Sequence, residues 1–458
     1  MADYQLIIIG GGLSGLAAGI RAARFGHHTL LLEQHSLPGG LNSYYFRCGH
    51  LLETGLHAMT NYARVSDKRA PLNRLFRQLK LSRRRFVTRE QFGSEVIFPE
   101  SRLSFTNDPA RLEAEVAREF PGCRDSFSKL LRQIETFDPF VPAPWRSARA
   151  FLHEQLGNPL LENMLLLPLM VYGNAEEHDM DLAQFAIMFR ALFLEGFFRP
   201  DQTIREFLTL LVDQYKGFGG ELRLKAPVTE ILRDGNRATG VRLGSGEDIR
   251  AEAVLSTVGL PATARLAGWP LDLKKHTGRM SFMETISLLP AERGPEVSRD
   301  RTIIFYSMKE NWRYMRPKTL IDPSWGVICF PENFQDIEAG ETIQLRVTNA
   351  ADYHCWQQLN PADYAAAKEQ CIRESREMVG KIVGNYAQDI VYQDSFTPLT
   401  IERFTGKDEG AVYGSPMKIK DGRTPLDNLF IAGTDQGFLG IVGSMLSGVT
   451  IVNQHLLV

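Results

Sequence analysis

The run Ile8-Ile9-Gly10-Gly11-Gly12-Leu13-Ser14-Gly15 constrains this chain more than any other stretch. Gly10, Gly12 and Gly15 stand in the spacing GxGxxG. Ahead of them, residues 5–9 are an apolar run of the kind that forms a buried parallel strand. Behind them, residues 13–25 carry the small-residue pattern of a closely packed helix, and residues 29–32 form a second apolar run ending at Glu33. This predicts one strand–helix–strand unit. The three glycines serve different ends: the first a tight turn, the second close approach of main chain to a diphosphate, the third close packing of helix on strand. The helix start then offers free N–H groups and a positive dipole end to phosphate, with Leu13 and Ser14 in its first turn. Glu33 is placed to accept hydrogen bonds from a ribose diol and would repel a 2′-phosphate. With 39 glycines in 458 residues, the glycine spacing alone arises by chance roughly 0.3 times in such a chain. The flanking strand, helix and carboxylate are what make it a dinucleotide site.

Two further segments favour FAD over NAD. After Glu33 and Gln34, Leu37-Pro38-Gly39-Gly40-Leu41 forms a turn whose main chain can approach a ribityl chain or second phosphate. Far away in sequence, residues 428–432 read as an apolar strand that runs into Gly433-Thr434-Asp435. A carboxylate there is expected on ribityl hydroxyls. Gly440, Ile441 and Val442 then open a helix whose N–H groups can face the pyrimidine edge of a flavin and stabilise its reduced, negatively charged form.

Net charge is −2, from 52 basic and 54 acidic residues, which argues against nucleic-acid binding. Five scattered cysteines with no CxxC pair read as reduced thiols of a cytoplasmic protein, with no disulfide framework and no metal site. The start of the chain has no basic and apolar leader, and no run of about 18 uncharged apolar residues occurs. The sequence carries no mark of a particular oligomeric state. Residues 71–144 read as polar and helical, 151–216 as apolar and helical, 219–258 as short strands, and 270–400 as mixed. An α/β fold is expected, with a Rossmann-like FAD-binding domain interleaved with an α+β substrate-binding domain. The FAD domain is assigned to 1–70, 205–268 and 415–458, and the substrate domain to 71–204 and 269–414.

These motifs resemble those of the phytoene desaturase, carotenoid isomerase and retinol saturase family, within the flavin amine-oxidase superfamily. The residues that carry the likeness are the first motif with Glu33 and Pro38-Gly39-Gly40, then Glu53-Thr54-Gly55-Leu56-His57. They continue with Gly219-Gly220-Glu221 and Val228, Arg403-Phe404, Gly410 to Gly414, and the segment 429–448. The resemblance implies that the Val228 main chain meets adenine. It implies non-covalent FAD, since no Cys or His stands in an attachment motif, and hydrogen transfer or isomerisation at carbon–carbon bonds of an apolar polyene or other lipid. The chain departs from the family at Leu41, where many relatives carry Arg or a small residue. It departs again at Arg199-Pro200-Asp201-Gln202-Thr203, which lacks the family's glycine pair.

His57 is the proton-carrier candidate, since imidazole titrates near neutrality; a packed or capping histidine is the plainer reading. Arg403 and Tyr413 are candidates for flavin or substrate contact, Glu409 a weaker one, and His178 reads as a solvated loop group. Residues 185–198, with 165–170, read first as core helices and second as the wall of a lipid tunnel or a peripheral membrane contact. Arg83-Arg84-Arg85 reads as a solvated basic turn, or as an aid to that contact. Two rivals stand beside the main reading. One is an amine-oxidase-like flavoenzyme; the other is a non-catalytic prenyl carrier of the GDI type, which intact glycine motifs disfavour.

Overall fold

The computed structural model describes residues 2–55, 58–141 and 143–457. Its first layer is a sheet whose parallel centre runs Glu221–Arg223, Thr29–Leu32, Tyr4–Ile9, Asp248–Ser256 and Leu429–Ile431. Ile7 lies between Leu30 and Val254, and Leu255 pairs Phe430, so the two sequence ends meet through one strand. Strands Val228–Asp234 and Arg237–Leu243 join Asp248–Ser256 in an antiparallel meander, turning where Gly235-Asn236 and Gly244 to Gly246 predict. Ile7, Ile8, Leu30 and Leu31 are fully buried, as the continuous apolar runs require of strands covered on both faces.

Helices Leu13–Arg24 and Gly440–His455 cross on one face of this sheet. Their approach depends on missing side chains. A Cβ on Gly15 would overlap the Gly10 carbonyl oxygen, and one on Gly448 would overlap the Ser14 carbonyl oxygen. Helix Pro71–Leu79 joins the same core through Leu72, Leu75 and Phe76.

The second layer is a sheet ordered Tyr392–Phe396, Ser281–Pro290, Thr342–Ala351, Ile321–Cys329, Ile303–Ser307, Ser94–Phe98 and Ser101–Phe105. All neighbours in it are antiparallel except Ile303–Ser307 with Ser94–Phe98. The hairpin Ser94–Phe105 corrects the helical reading of residues 71–144. Val96, Phe98, Leu103 and Phe105 alternate inward at the two-residue period of a strand. Hairpin strands Tyr44–Arg47 and His50–Glu53 lean on this layer, Leu52 packing with Ile286 and Leu288.

Helices Pro159–Gly173 and Leu182–Phe189 fill the space beside this sheet, and Leu165, Leu166, Phe185, Phe189, Phe193 and Phe197 are fully buried. Being apolar all round, they are interior helices, and the membrane-contact reading of 165–170 and 185–198 has no surface to stand on. Arg83 is likewise structural, since its guanidinium bonds Asn73 and Thr88. Among the described residues no helix is long and apolar enough to cross a membrane.

Gly448→Ala should force the last helix off the first. We expect a loss of about 1–3 kcal/mol, read as a lowered thermal midpoint of the flavin-free protein. An unchanged midpoint would show that the helices can part without cost.

Candidate active site

A cavity of about 660 Å³ opens along the upper edge of the first sheet. Of the residues singled out from sequence, Gly10, Gly12, Leu13, Ser14, Glu33, Gln34, Gly39, Gly40, Leu41, Val228 and Gly433 line it. The glycine turns interlock: the Gly39 N–H donates to the Gly11 carbonyl at 2.9 Å, and a Cβ on Gly40 would lie 3.5 Å from the Gly12 Cα. Gly39, at φ 118°, holds a conformation that a side chain would strain.

Gly10, Gly12 and Gly15 differ as their spacing requires. Gly10 turns at φ 103°, and Gly15 lets the helix touch the strand. At Gly12 a Cβ would meet nothing within 4 Å, so that face of the main chain is open to a ligand. The helix it caps has no side-chain cap and no acidic residue in its first turn. Its N–H groups and positive end therefore remain available. The Ser14 hydroxyl is buried with no partner among the described residues, so the cradle has an unfilled polar position as well. Glu33 is buried; one oxygen accepts the Gly11 N–H and the other the His35 N–H, each at 2.8 Å. Of about four acceptor positions on a carboxylate, two remain. These donors and acceptors fit a nucleotide diphosphate and its ribose.

The other expected positions fall elsewhere. Gly15 lies in the helix–strand contact. Asp435 does not line the cavity; its buried carboxylate accepts the Ser415 N–H at 2.7 Å and the Leu260 N–H. The reason is local: Gly414 has no side chain, and Asp435 packs into the space a Cβ there would fill. Gly440, at φ 72°, starts the last helix, while Ile441 and Val442 pack into the core beneath it. Arg403 is exposed, lies over the Phe404 ring at 5.5 Å, and is not on the cavity wall. Tyr413 donates its hydroxyl to the Val171 carbonyl, and burial pushes its pKa up. His178 is on the surface, and Glu409 lies near Arg316 and His354. His57 lies outside the described residues.

Sequence reasoning missed a buried ionic junction between the two layers. Glu53, in the stretch that leads to His57, accepts Arg199 Nη2 at 3.0 Å and the Ile204 N–H at 2.7 Å. Its own carbonyl accepts Arg346 Nη2 at 2.9 Å, and Arg346 Nε donates to Glu284 at 2.7 Å. Arg346 is fully buried. Arg199, which enters the turn without the glycine pair, is thus fixed by Glu53. The following helix, Ile204–Gly217, is closed by a Thr203–Glu206 capping box. Opposite charges in the apolar strands Ser281–Pro290 and Thr342–Ala351 were the available signal.

Glu195 was missed too. It ends the π-helical turn Arg190–Leu194 and accepts the Asn61 side-chain amide at 2.8 Å. Asn61 accepts the Thr60 hydroxyl at 3.2 Å, and a Cβ on Gly440 would lie 3.5 Å from that hydroxyl. Burial raises the Glu195 pKa to about 7.

The profile of the flavin containing amine oxidoreductase family matches residues 13–454. The chain belongs to that family. It is similar to the chloroplastic prolycopene isomerase of Arabidopsis thaliana, 22% identical over 97% of this chain and 81% of that protein. It is similar to the all-trans-retinol 13,14-reductase of Danio rerio, 21% identical over 99% and 87%. It is also similar to the neurosporene-forming phytoene desaturase of Rhodobacter capsulatus, 29% identical over 55% of this chain and 52% of that protein. In fold it matches the crystal structure of an oxidoreductase from Methanosarcina mazei, with a TM-score of 0.67 and 15% identity, covering 98% and 99%. The chain is accordingly an FAD-dependent oxidoreductase.

A carboxyl whose pKa is raised on folding holds its proton more tightly in the folded state. From pH about 4.5 to about 7, stability therefore falls as pH rises, and above that window it is flat. Glu195→Gln removes this effect. Its stability, followed by the thermal midpoint, should gain on the parent as pH goes from 5 to 8, by on the order of 1–3 kcal/mol. A gap that does not change with pH would show that Glu195 ionises as freely in the folded protein as in the unfolded chain.

Proposed function

We propose that this enzyme adds, removes or shifts hydrogen at carbon–carbon bonds of a long apolar polyene, an isoprenoid or another lipid. One observation carries the reading: the relatives named for prolycopene isomerisation and all-trans-retinol reduction align with nearly the whole chain. The phytoene desaturase aligns with about half of it. FAD supplies hydride acceptance and return when bound. The residues of the chain supply binding and orientation. Helix Leu13–Arg24 and Gly12 receive the diphosphate, Glu33 the ribose, and the Val228 main chain the adenine. The N–H groups at Gly440 to Val442 favour negative charge at the flavin edge. The Thr54 hydroxyl donates to the Leu41 and Ser43 carbonyls, fixing the turn that borders the cavity. His57, three residues on, is the proposed proton carrier. FAD is held without a covalent bond, and the apolar helices 159–194 supply the water-free surroundings a hydrocarbon chain needs.

Anaerobic titration of the yellow protein with candidate polyenes tests the reading. Bleaching of the flavin by substrate means desaturation, and reoxidation of dithionite-reduced flavin means saturation. Isomers formed with no net spectral change mean isomerisation. Bleaching by small amines, with no response to any polyene, would instead make it an amine oxidase.

For a cytoplasmic enzyme with such a substrate we also propose a peripheral membrane contact. Support comes from Phe140 at 67%, Val141 at 59% and Trp145 at 53% exposure. Phe140 stacks on Phe438, two residues before the last helix. The double variant Phe140→Asp, Trp145→Asp should lose most co-sedimentation with phosphatidylcholine vesicles and keep its FAD. Equal binding by parent and variant would remove this patch from consideration.

A further inference from the structure

We infer that Lys407 is a phosphate-binding residue of the dinucleotide site, a position that neither glycine motif contains. The inference rests on the FAD reading above. Among the described residues, three Lys or Arg side chains line the cavity: Arg47, Arg265 and Lys407. Arg47 is paired with Asp394 at 3.1 Å. Arg265 is held by both oxygens of Asp408, each at 2.7 Å. Lys407 differs from both. Its ammonium donates to the neutral Thr434 hydroxyl at 2.9 Å, and no carboxylate among the described residues lies within ion-pair distance. Burial pulls its pKa below the ordinary lysine value, and the nearby Asp435 charge opposes that. A partly buried ammonium with no carboxylate at ion-pair distance is costly to desolvate unless an anion completes it.

Its position says which anion. Thr434 follows Gly433, and a Cβ on Gly433 would lie 3.8 Å from the Ser14 side chain. Ser14 lies in the first turn of the first helix, where the open face of Gly12 and the Ser14 hydroxyl, unpartnered among the described residues, form the phosphate cradle. The Gly39-Gly40 turn on the other side is followed by Leu41, which brings no charge. A diphosphate carries two negative charges, and among the described residues that line the cavity Lys407 is the Lys or Arg not already paired with a carboxylate. Lys418 provides the contrast. It too is partly buried, with its pKa drawn down to about 8, but it donates to the Tyr413 and Thr434 carbonyls and does not line the cavity.

The test uses the full-length protein freed of flavin, titrated with FAD, ADP and adenosine. Lys407→Gln should raise the Kd of FAD and of ADP alike by about ten- to a hundred-fold and leave that of adenosine unchanged. Lys407→Arg should keep most of the affinity. In the unmodified protein, ADP but not adenosine should protect Lys407 from an amine-modifying reagent, read by mass spectrometry. Equal ADP affinity with and without Lys407 would overturn the assignment. So would a loss confined to FAD, which puts the ammonium at the flavin instead. If the glutamine variant fails to fold, the protection measurement decides, and equal protection by ADP and adenosine overturns the assignment. Wild-type protein that binds neither FAD nor ADP would overturn the flavin reading and this inference together.

Discussion

The contact on which the rest of the structure depends is that of helix Leu13–Arg24 with the turn preceding it, where Gly15 lies against the Gly10 carbonyl. A side chain at Gly15 would lift the helix from the sheet and draw its N–H groups away from the cavity, and one at Gly10 would run into Thr257 and Val258. Everything that surrounds the site is referred to that helix end. The Gly39 turn bonds to Gly11, Glu33 accepts from Gly11, and Gly448 lets the last helix rest on Ser14. A positive helix end and open main chain in one place are suited to receive an anion.

A second constraint joins this layer to the one beside it. Glu53 receives Arg199 and the start of helix Ile204–Gly217, while its carbonyl holds Arg346 from the second sheet. Charges so deeply buried stabilise little over well-packed apolar groups, but loss of one partner leaves the other uncompensated. Their effect is to fix direction. Glu53 is thereby held by three elements at once.

Much of this was legible in sequence because it rests on local rules. Strand, glycine turn and helix follow from side-chain size and period over residues 5–33, and Glu33 from its place at a strand end. What escaped depends on partners far away in the chain. Asp435 reads as a ligand carboxylate until Gly414 and Leu260, distant in sequence, are seen to enclose it. Lys407 resembles any surface lysine beside Asp408 and Glu409, and only the fold brings it to Thr434. The hairpin 94–105 was hidden by the polar residues on its outer face, although its inward positions keep strict alternation.

The first sheet is completed by Leu429–Ile431 against Val254 to Ser256, and the last helix covers the first. The site therefore joins residues 10–40 to residues more than 390 positions later. During synthesis the early glycine turn emerges long before the strand and helix that enclose it. The nascent chain consequently carries an incomplete sheet edge and bare apolar helices while the second layer is still being made. A flavin pocket of this form would be complete only once residues 429–455 have joined the first strand and helix.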